Sequence, residues 1–158
     1  MSIHYICKYG NESKLIKLLE LNPDVNVSDN YGWTPLNIVC KRGQINMLEK
    51  LLRHSSIDVN QENDDRRTPL FTACEVNRLD IVKALLEHPR IEVNKAVRYG
   101  WTPLLIACNN GMLKIVNSLL KAGAEIRITN DDNVTPLFIA CQEGNWNVVK
   151  ELMLRVAG

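Results

Sequence analysis

No apolar run in this chain approaches the ~18 residues that a membrane-spanning helix requires. The amino-terminal "MSIHYICKYG" has neither the basic segment nor the long apolar stretch of a secretory signal. The expected compartment is therefore the cytoplasm, with the nucleus as the alternative. Charge of one sign is also scarce. Nineteen Lys and Arg face 18 Asp and Glu, for a formal charge of +1. A protein that holds nucleic acid by electrostatics carries a basic domain, and this chain has none. Histidines number three, and no Cys-x-x-Cys, His-Glu-x-x-His, phosphate loop or Gly-x-Ser-x-Gly is present. The paired acids Asp64-Asp65 and Asp131-Asp132 read as solvated turn residues. These absences argue against an enzyme, a cofactor or a metal centre.

What is there is repetition. "TPLNIVCKRG" at Thr34 returns as "TPLFTACEVN" at Thr68, "TPLLIACNNG" at Thr102 and "TPLFIACQEG" at Thr135. The threonines are 34, 34 and 33 residues apart. Cys7, Cys40, Cys74, Cys108 and Cys141 keep the same phase, as do Leu18-Leu19, Leu51-Leu52, Leu85-Leu86, Leu119-Leu120 and Leu152-Met153. Cys7 places a further unit at the front, with Ile3 in place of Leu36. Self-similarity at such a period marks a stacked-repeat architecture. The one-residue variation falls in "RHSSIDVN" and "EHPRIEVN", where a loop absorbs it.

Each unit reads as two short helices and a turn. Thr before Pro starts a helix, because the hydroxyl caps free N–H groups and proline suits the first helical position. Leu36, Val39 and Cys40 then fall on one face at i, i+3 and i+4. Gly43 ends that helix in the left-handed conformation. Ile45, Met47, Leu48, Leu51 and Leu52 form the apolar side of the second helix. Helices of about ten residues are marginal alone, so stacking must supply their stability.

The phrase and its period resemble the ankyrin repeat, whose signature is Thr-Pro-Leu-His-x-Ala at about 33 residues. The resemblance covers nearly the whole chain. It implies an all-α solenoid of stacked helix-turn-helix units joined by short β-hairpin loops, L-shaped in cross-section with one concave groove. A single domain over residues 1–158 is expected, with repeats near 1–28, 29–62, 63–96, 97–129 and 130–158. Two departures matter. The signature histidine is Asn37, Phe71, Leu105 and Phe138 in the four full units, leaving Asn37 as a substitute for its hydrogen bond. The glycine two residues before threonine is present as Gly32 and Gly100 but is Arg66 and Asn133 elsewhere, which predicts strained or differently turned hairpins there.

The cysteines share one inward position. Equivalent positions on packed helices lie roughly 8–10 Å apart, beyond the ~7 Å between Cα atoms that a disulfide allows. Equally spaced thiols also fail to converge on a metal. All five are expected to be free, buried core residues. His54 and His88, at the ends of second helices, read as complements to helix C-terminal charge. Trp146 aligns with Ile45, Leu79 and Leu113, which predicts core packing.

In proteins of the resembled family, partners meet the hairpin tips and the exposed side of the first helices. Carried over by alignment, the second unit offers Asn30, Tyr31, Trp33, Lys41 and Arg42, and the first adds Lys8 and Tyr9. The third unit offers Asp64, Asp65, Arg67, Glu75 and Val76. The fourth offers Arg98, Tyr99, Trp101, Asn109 and Asn110, and the fifth Asp131, Asp132, Val134, Gln142 and Glu143. "YGWTPL" occurs twice, placing two aromatic pairs on hairpins two units apart; either they bind, or each Trp packs on its neighbouring hairpin. The expected function is a non-catalytic scaffold for a partner protein or extended peptide. The alternatives are a nucleotide-like ligand held by groove Trp, Lys and Arg, or a targeting module of a larger enzyme. A monomer is expected, with weak self-association through an unprotected C-terminal end. The ends lack polar caps, which predicts either a longer protein or a fraying last helix.

Overall fold

The computed structural model describes residues 1–158 and contains ten α-helices with no residue in a strand. They form five consecutive pairs: α1 (Ile3–Tyr9) and α2 (Glu12–Leu19); α3 (Pro35–Arg42) and α4 (Ile45–Leu52); α5 (Pro69–Glu75) and α6 (Leu79–Leu86); α7 (Pro103–Asn109) and α8 (Leu113–Lys121); α9 (Pro136–Gln142) and α10 (Trp146–Ala157). First helices stack on first helices and second on second, so each pair touches only its neighbours. The fold is the all-helical solenoid that the spacing implies.

The helix starts follow from the side chains. Thr34, Thr68, Thr102 and Thr135 each accept a hydrogen bond from the backbone N–H three residues on, and proline opens the helix behind them. Ser2 does the same for α1. One continuous core of 32 buried residues runs through all five pairs. Burying a leucine is worth about 2 kcal/mol, and the core leucines of all five pairs belong to this one cluster.

Two side-chain devices stitch units together. Asn37 takes over the signature histidine's bond: its Nδ2 donates to Thr34 Oγ1 at 3.2 Å and to the Gln61 carbonyl at 3.1 Å. His4 reaches the equivalent carbonyl, that of Val27, at 2.9 Å. The second device is a ladder of asparagines. Asn26 donates to the Ser56 carbonyl at 2.7 Å and accepts from Asp58 N–H at 2.8 Å. Asn60 repeats this with Arg90 and Glu92 at 2.7 and 2.9 Å. Asn94 repeats it with Gly123 and Glu125 at 3.4 and 2.9 Å.

Three expectations need correction, and two share one cause. Cys141 is exposed, unlike the other four cysteines. Trp146 is 68% exposed rather than packed in the core. Their equivalents in earlier units are covered by the pair that stacks on next, and α9 and α10 have no such pair. Phe138 is left open in the same way, whereas its equivalents Phe71 and Leu105 are buried. The third concerns His88, which does not complement a helix end by charge. Its Nδ1 accepts from Arg90 N–H at 3.3 Å, and burial, followed by the nearby Arg90 cation, lowers its pKa.

Candidate partner-binding groove

The hairpin tips are built by one local rule. Asp29 Oδ1 accepts from the N–H groups of Tyr31 and Trp33, both at 2.9 Å. Asn63 clamps Asp65 and Arg67 in the same way at 3.0 and 2.9 Å. Asn130 clamps Asp132 and Val134 at 3.0 and 2.9 Å. These side-chain acceptors close the turn whatever residue sits at its left-handed position. Arg66 and Asn133 therefore take the same positive φ, 61°, that Gly32 takes at 73°. The two glycine-free hairpins are not differently turned, although Arg66 and Asn133 carry the left-handed conformation at a cost that glycine avoids. The odd hairpin is the fourth, where Val97 has no side-chain acceptor to offer and its backbone carbonyl accepts from Gly100 N–H at 3.2 Å. There Arg98–Gly100 winds into a 3-10 turn with Tyr99 also at positive φ, 61°.

The tips form a row, and the row has a break. A Cβ placed on Gly32 would lie 2.5 Å from Asp64 N, and one on Gly100 would lie 2.8 Å from Asp131 N. This close approach lets Asp64 N–H donate to the Tyr31 carbonyl at 3.3 Å and Asp131 N–H donate to the Tyr99 carbonyl at 3.0 Å. Arg66 holds the equivalent place in the third unit. No such backbone bond joins the third and fourth tips; Arg98 instead donates through its guanidinium to the Asp64 carbonyl at 2.6 Å. A cavity of about 340 Å³ opens beside this break, among Asp65, Arg67, Phe71, Glu75, Val97, Arg98, Tyr99 and Trp101.

Each tip also pairs with its own first helix. Lys41 Nζ sits 4.7 Å from the centre of the Trp33 ring, a cation–π contact. In the next unit the equivalent residues are Arg67 and Glu75, which form an ion pair at 2.7 Å. That pairing neutralises Glu75 within its own unit. Trp101 packs on the core and is half-buried. Asn109 bonds its neighbour Asn110 at 2.8 Å. Tyr31 and Tyr99 are the most open aromatics, each 73% exposed, and Tyr9 is 63% exposed at the end of α1. Asp131, Asp132, Gln142 and Glu143 are exposed on the fifth unit.

The largest hollow, about 700 Å³, lies between tips and first helices at the N-terminal end. Lys8, Asp29, Tyr31, Trp33, Ile38, Lys41, Arg42, Gln44 and Arg78 line it. Sequence alignment places Lys8, Tyr31, Trp33, Lys41 and Arg42 there but omits Arg78. Arg78 precedes α6 and lies back over the preceding unit, where a Cβ on Gly43 would come 2.7 Å from its Nε. The usable signal is the glycine itself: "KRG" ends α3 without a side chain that would exclude the guanidinium. A second hollow, about 590 Å³ and mostly apolar, lies on α10 among Trp146, Val149, Lys150, Met153, Leu154 and Ala157.

The thiols have the character that burial gives. Cys7 and Cys108 are pushed up to about 12, and Cys40 and Cys74 are also raised, all by desolvation first. No group of three or more His, Cys, Asp and Glu side chains is placed to hold a metal ion. No helix is long and apolar enough to cross a membrane.

The family model described as Ankyrin repeats (3 copies) matches residues 3–97 and 92–157. Among curated proteins, the SMC5-SMC6 complex localization factor protein 1 of Mus musculus is 40% identical over 53 residues, and that of Homo sapiens is also 40% identical over 53 residues. Each match covers 33% of this chain and 5% of the relative. With in-phase threonine caps, five stacked helix pairs and a family match along almost the whole length, this chain belongs to the ankyrin-repeat family.

Proposed function

We propose that this chain is a non-catalytic scaffold that holds an extended segment of a partner protein along its tips and first helices. The observation that carries the reading is the pair Tyr31 and Tyr99, each 73% exposed at a hairpin tip. They belong to hairpins two units apart, about 20 Å at about 10 Å per stacked helix. Such a span suits a peptide and exceeds one small metabolite. Tyrosine and tryptophan supply contact area at low entropic cost and are enriched at binding hot spots. The charged residues between the aromatics, Asp64, Asp65, Arg67 and Arg98, add selectivity at the rim. Localisation factors are named among the relatives, which fits an adaptor role. The chain's repeats match only a small fraction of those proteins, so a targeting module within a larger assembly belongs to the same reading.

A nucleotide-like ligand draws on the same 700 Å³ hollow. Stacking a base there requires displacing Lys41 from the face of Trp33, which disfavours it. Five unpaired thiols suit a reducing compartment, cytoplasmic or nuclear. The scaffold acts as a monomer, and the open apolar side of α10 supports association only at high concentration.

Selection from a random peptide-display library tests the reading. Peptides retained by the wild-type chain are counter-screened on Tyr31→Ala/Tyr99→Ala. Both rings are exposed, so the double variant keeps its melting temperature. It is expected to lose at least about thirtyfold in affinity, the equivalent of a 2 kcal/mol hot spot. Retention of the selected peptides at full affinity overturns the reading.

A further inference from the structure

The N-terminal hollow gathers four cations around a single acid. Five cations elsewhere on the molecule pair with carboxylates: Lys50 with Glu12, Arg67 with Glu75, Lys95 and Arg66 with Glu62, Arg155 with Glu151. Lys8, Lys41, Arg42 and Arg78 all line the hollow, and none of them forms an ion pair. The one acid among them, Asp29, already spends Oδ1 on the turn it clamps. Helix-end complementation accounts for Lys8, Lys41 and Arg42, which stand in the last turns of α1 and α3. Arg78, from the next unit, is laid across Gly43, the C-cap of α3, and brings a further positive charge to that helix end.

We infer that this hollow is the docking site for the acidic stretch of a peptide partner. The inference rests on the scaffold reading above and names the chemistry of what the scaffold holds. Two features select an acidic peptide over other anions. First, the cations come from three successive units, spread over about 20 Å at about 10 Å per unit, which matches carboxylates strung along an extended chain. Second, Asp131, Asp132 and Glu143 are exposed on the last unit. A long polyanion such as nucleic acid would be repelled there, while a peptide acidic at one end only is matched along the whole row.

The same display selection reads out the composition directly. Groove-dependent peptides, those lost on Tyr31→Ala/Tyr99→Ala, are expected to be rich in Asp and Glu at one end. A synthetic peptide of the enriched sequence, labelled with fluorescein, is then titrated in rising salt. Lys8→Gln, Lys41→Gln, Arg42→Gln and Arg78→Gln are expected to weaken binding about two- to fivefold each, as exposed ion pairs do. The combined variant is expected to lose more than about tenfold, and the wild-type affinity to fall with ionic strength. Lys114→Gln and Lys121→Gln on α8 serve as controls and should change nothing. Groove-dependent peptides that are neutral or basic, or binding indifferent to the four substitutions, overturn the inference and leave the scaffold reading standing. A selection that yields no groove-dependent peptide overturns both. Displacement of the acidic peptide by ADP or oligothymidylate at lower concentration than by the unlabelled peptide overturns the inference in favour of a nucleotide or nucleic acid.

Discussion

Gly32→Ala isolates the energy of the close approach between hairpin tips. Gly32 stands at φ 73°, and an added Cβ would lie 2.5 Å from the Asp64 backbone nitrogen and 2.4 Å from its carboxylate oxygen. Gly123 provides the control, at φ 92° with nothing within 4 Å of its would-be Cβ. Both substitutions place an L-residue in the left-handed region, at about 1 kcal/mol. Only Gly32→Ala also pushes the third tip away, breaking the 3.3 Å bond from Asp64 N–H to the Tyr31 carbonyl. A hydrogen bond lost with one partner half-sheltered costs about 1–1.5 kcal/mol. The expected losses are therefore about 1 kcal/mol for Gly123→Ala and about 2.5 kcal/mol for Gly32→Ala. With a urea slope of about 2 kcal/mol/M for a chain of this size, the midpoints fall by about 0.5 and 1.2 M. Equilibrium urea denaturation followed by circular dichroism reads both. The converse, Arg66→Gly, relieves strain and lets the third and fourth tips approach, so its midpoint should hold or rise. A Gly32→Ala variant no less stable than Gly123→Ala would refute the steric account of the row.

Thiol titration of the native protein should give one fast equivalent, from exposed Cys141, and four more only after denaturation, since burial raises Cys7, Cys40, Cys74 and Cys108; Cys141→Ser should abolish the fast phase. Asn60→Ala removes two bonds of 2.7 and 2.9 Å at a buried position, and should cost about 2 kcal/mol. Asn94→Ala, whose donor bond is 3.4 Å, should cost less in the same urea series. His88 has a folded-state pKa below its ordinary value, so the unfolded chain binds the proton more readily. Its contribution is present above the ordinary histidine range and is lost as pH falls through the lowered folded value. His88→Gln should flatten the acid-side decline in melting temperature.

Much of the architecture was legible because its causes are local. A threonine hydroxyl, a proline ring and an apolar residue at i, i+3 and i+4 fix where each helix starts and which face turns inward. Those four threonines cap α3, α5, α7 and α9 as the spacing implies. Asn37 was legible too, since its amide can reach where the signature histidine would. What periodicity cannot carry is whatever lies beyond the last unit. Cys141 and Trp146 occupy core positions in phase, yet the surface that would bury them belongs to a following pair. At Arg66 and Asn133 the missing glycine signals strain, and both stand at positive φ; that the turn nevertheless keeps its shape was not legible, because the clamp sits three residues earlier in Asn63 and Asn130. The asparagine ladder was written as "VN" at Val25, Val59 and Val93, 34 residues apart, but its bonds run to loops of the next unit. Within the groove, alignment found the tips and the first helices. It missed Arg78, whose side chain reaches back across a unit boundary.

Hydrogen–deuterium exchange of the chain, with and without a display-selected peptide, tests the central claim most directly. If the groove is the partner site, protection on binding falls on the tips near residues 29–34 and 97–102 and on α1, α3, α5 and α7, with α4, α6 and α8 unchanged. Protection confined to the second helices, or to α10 and its apolar hollow, would contradict it.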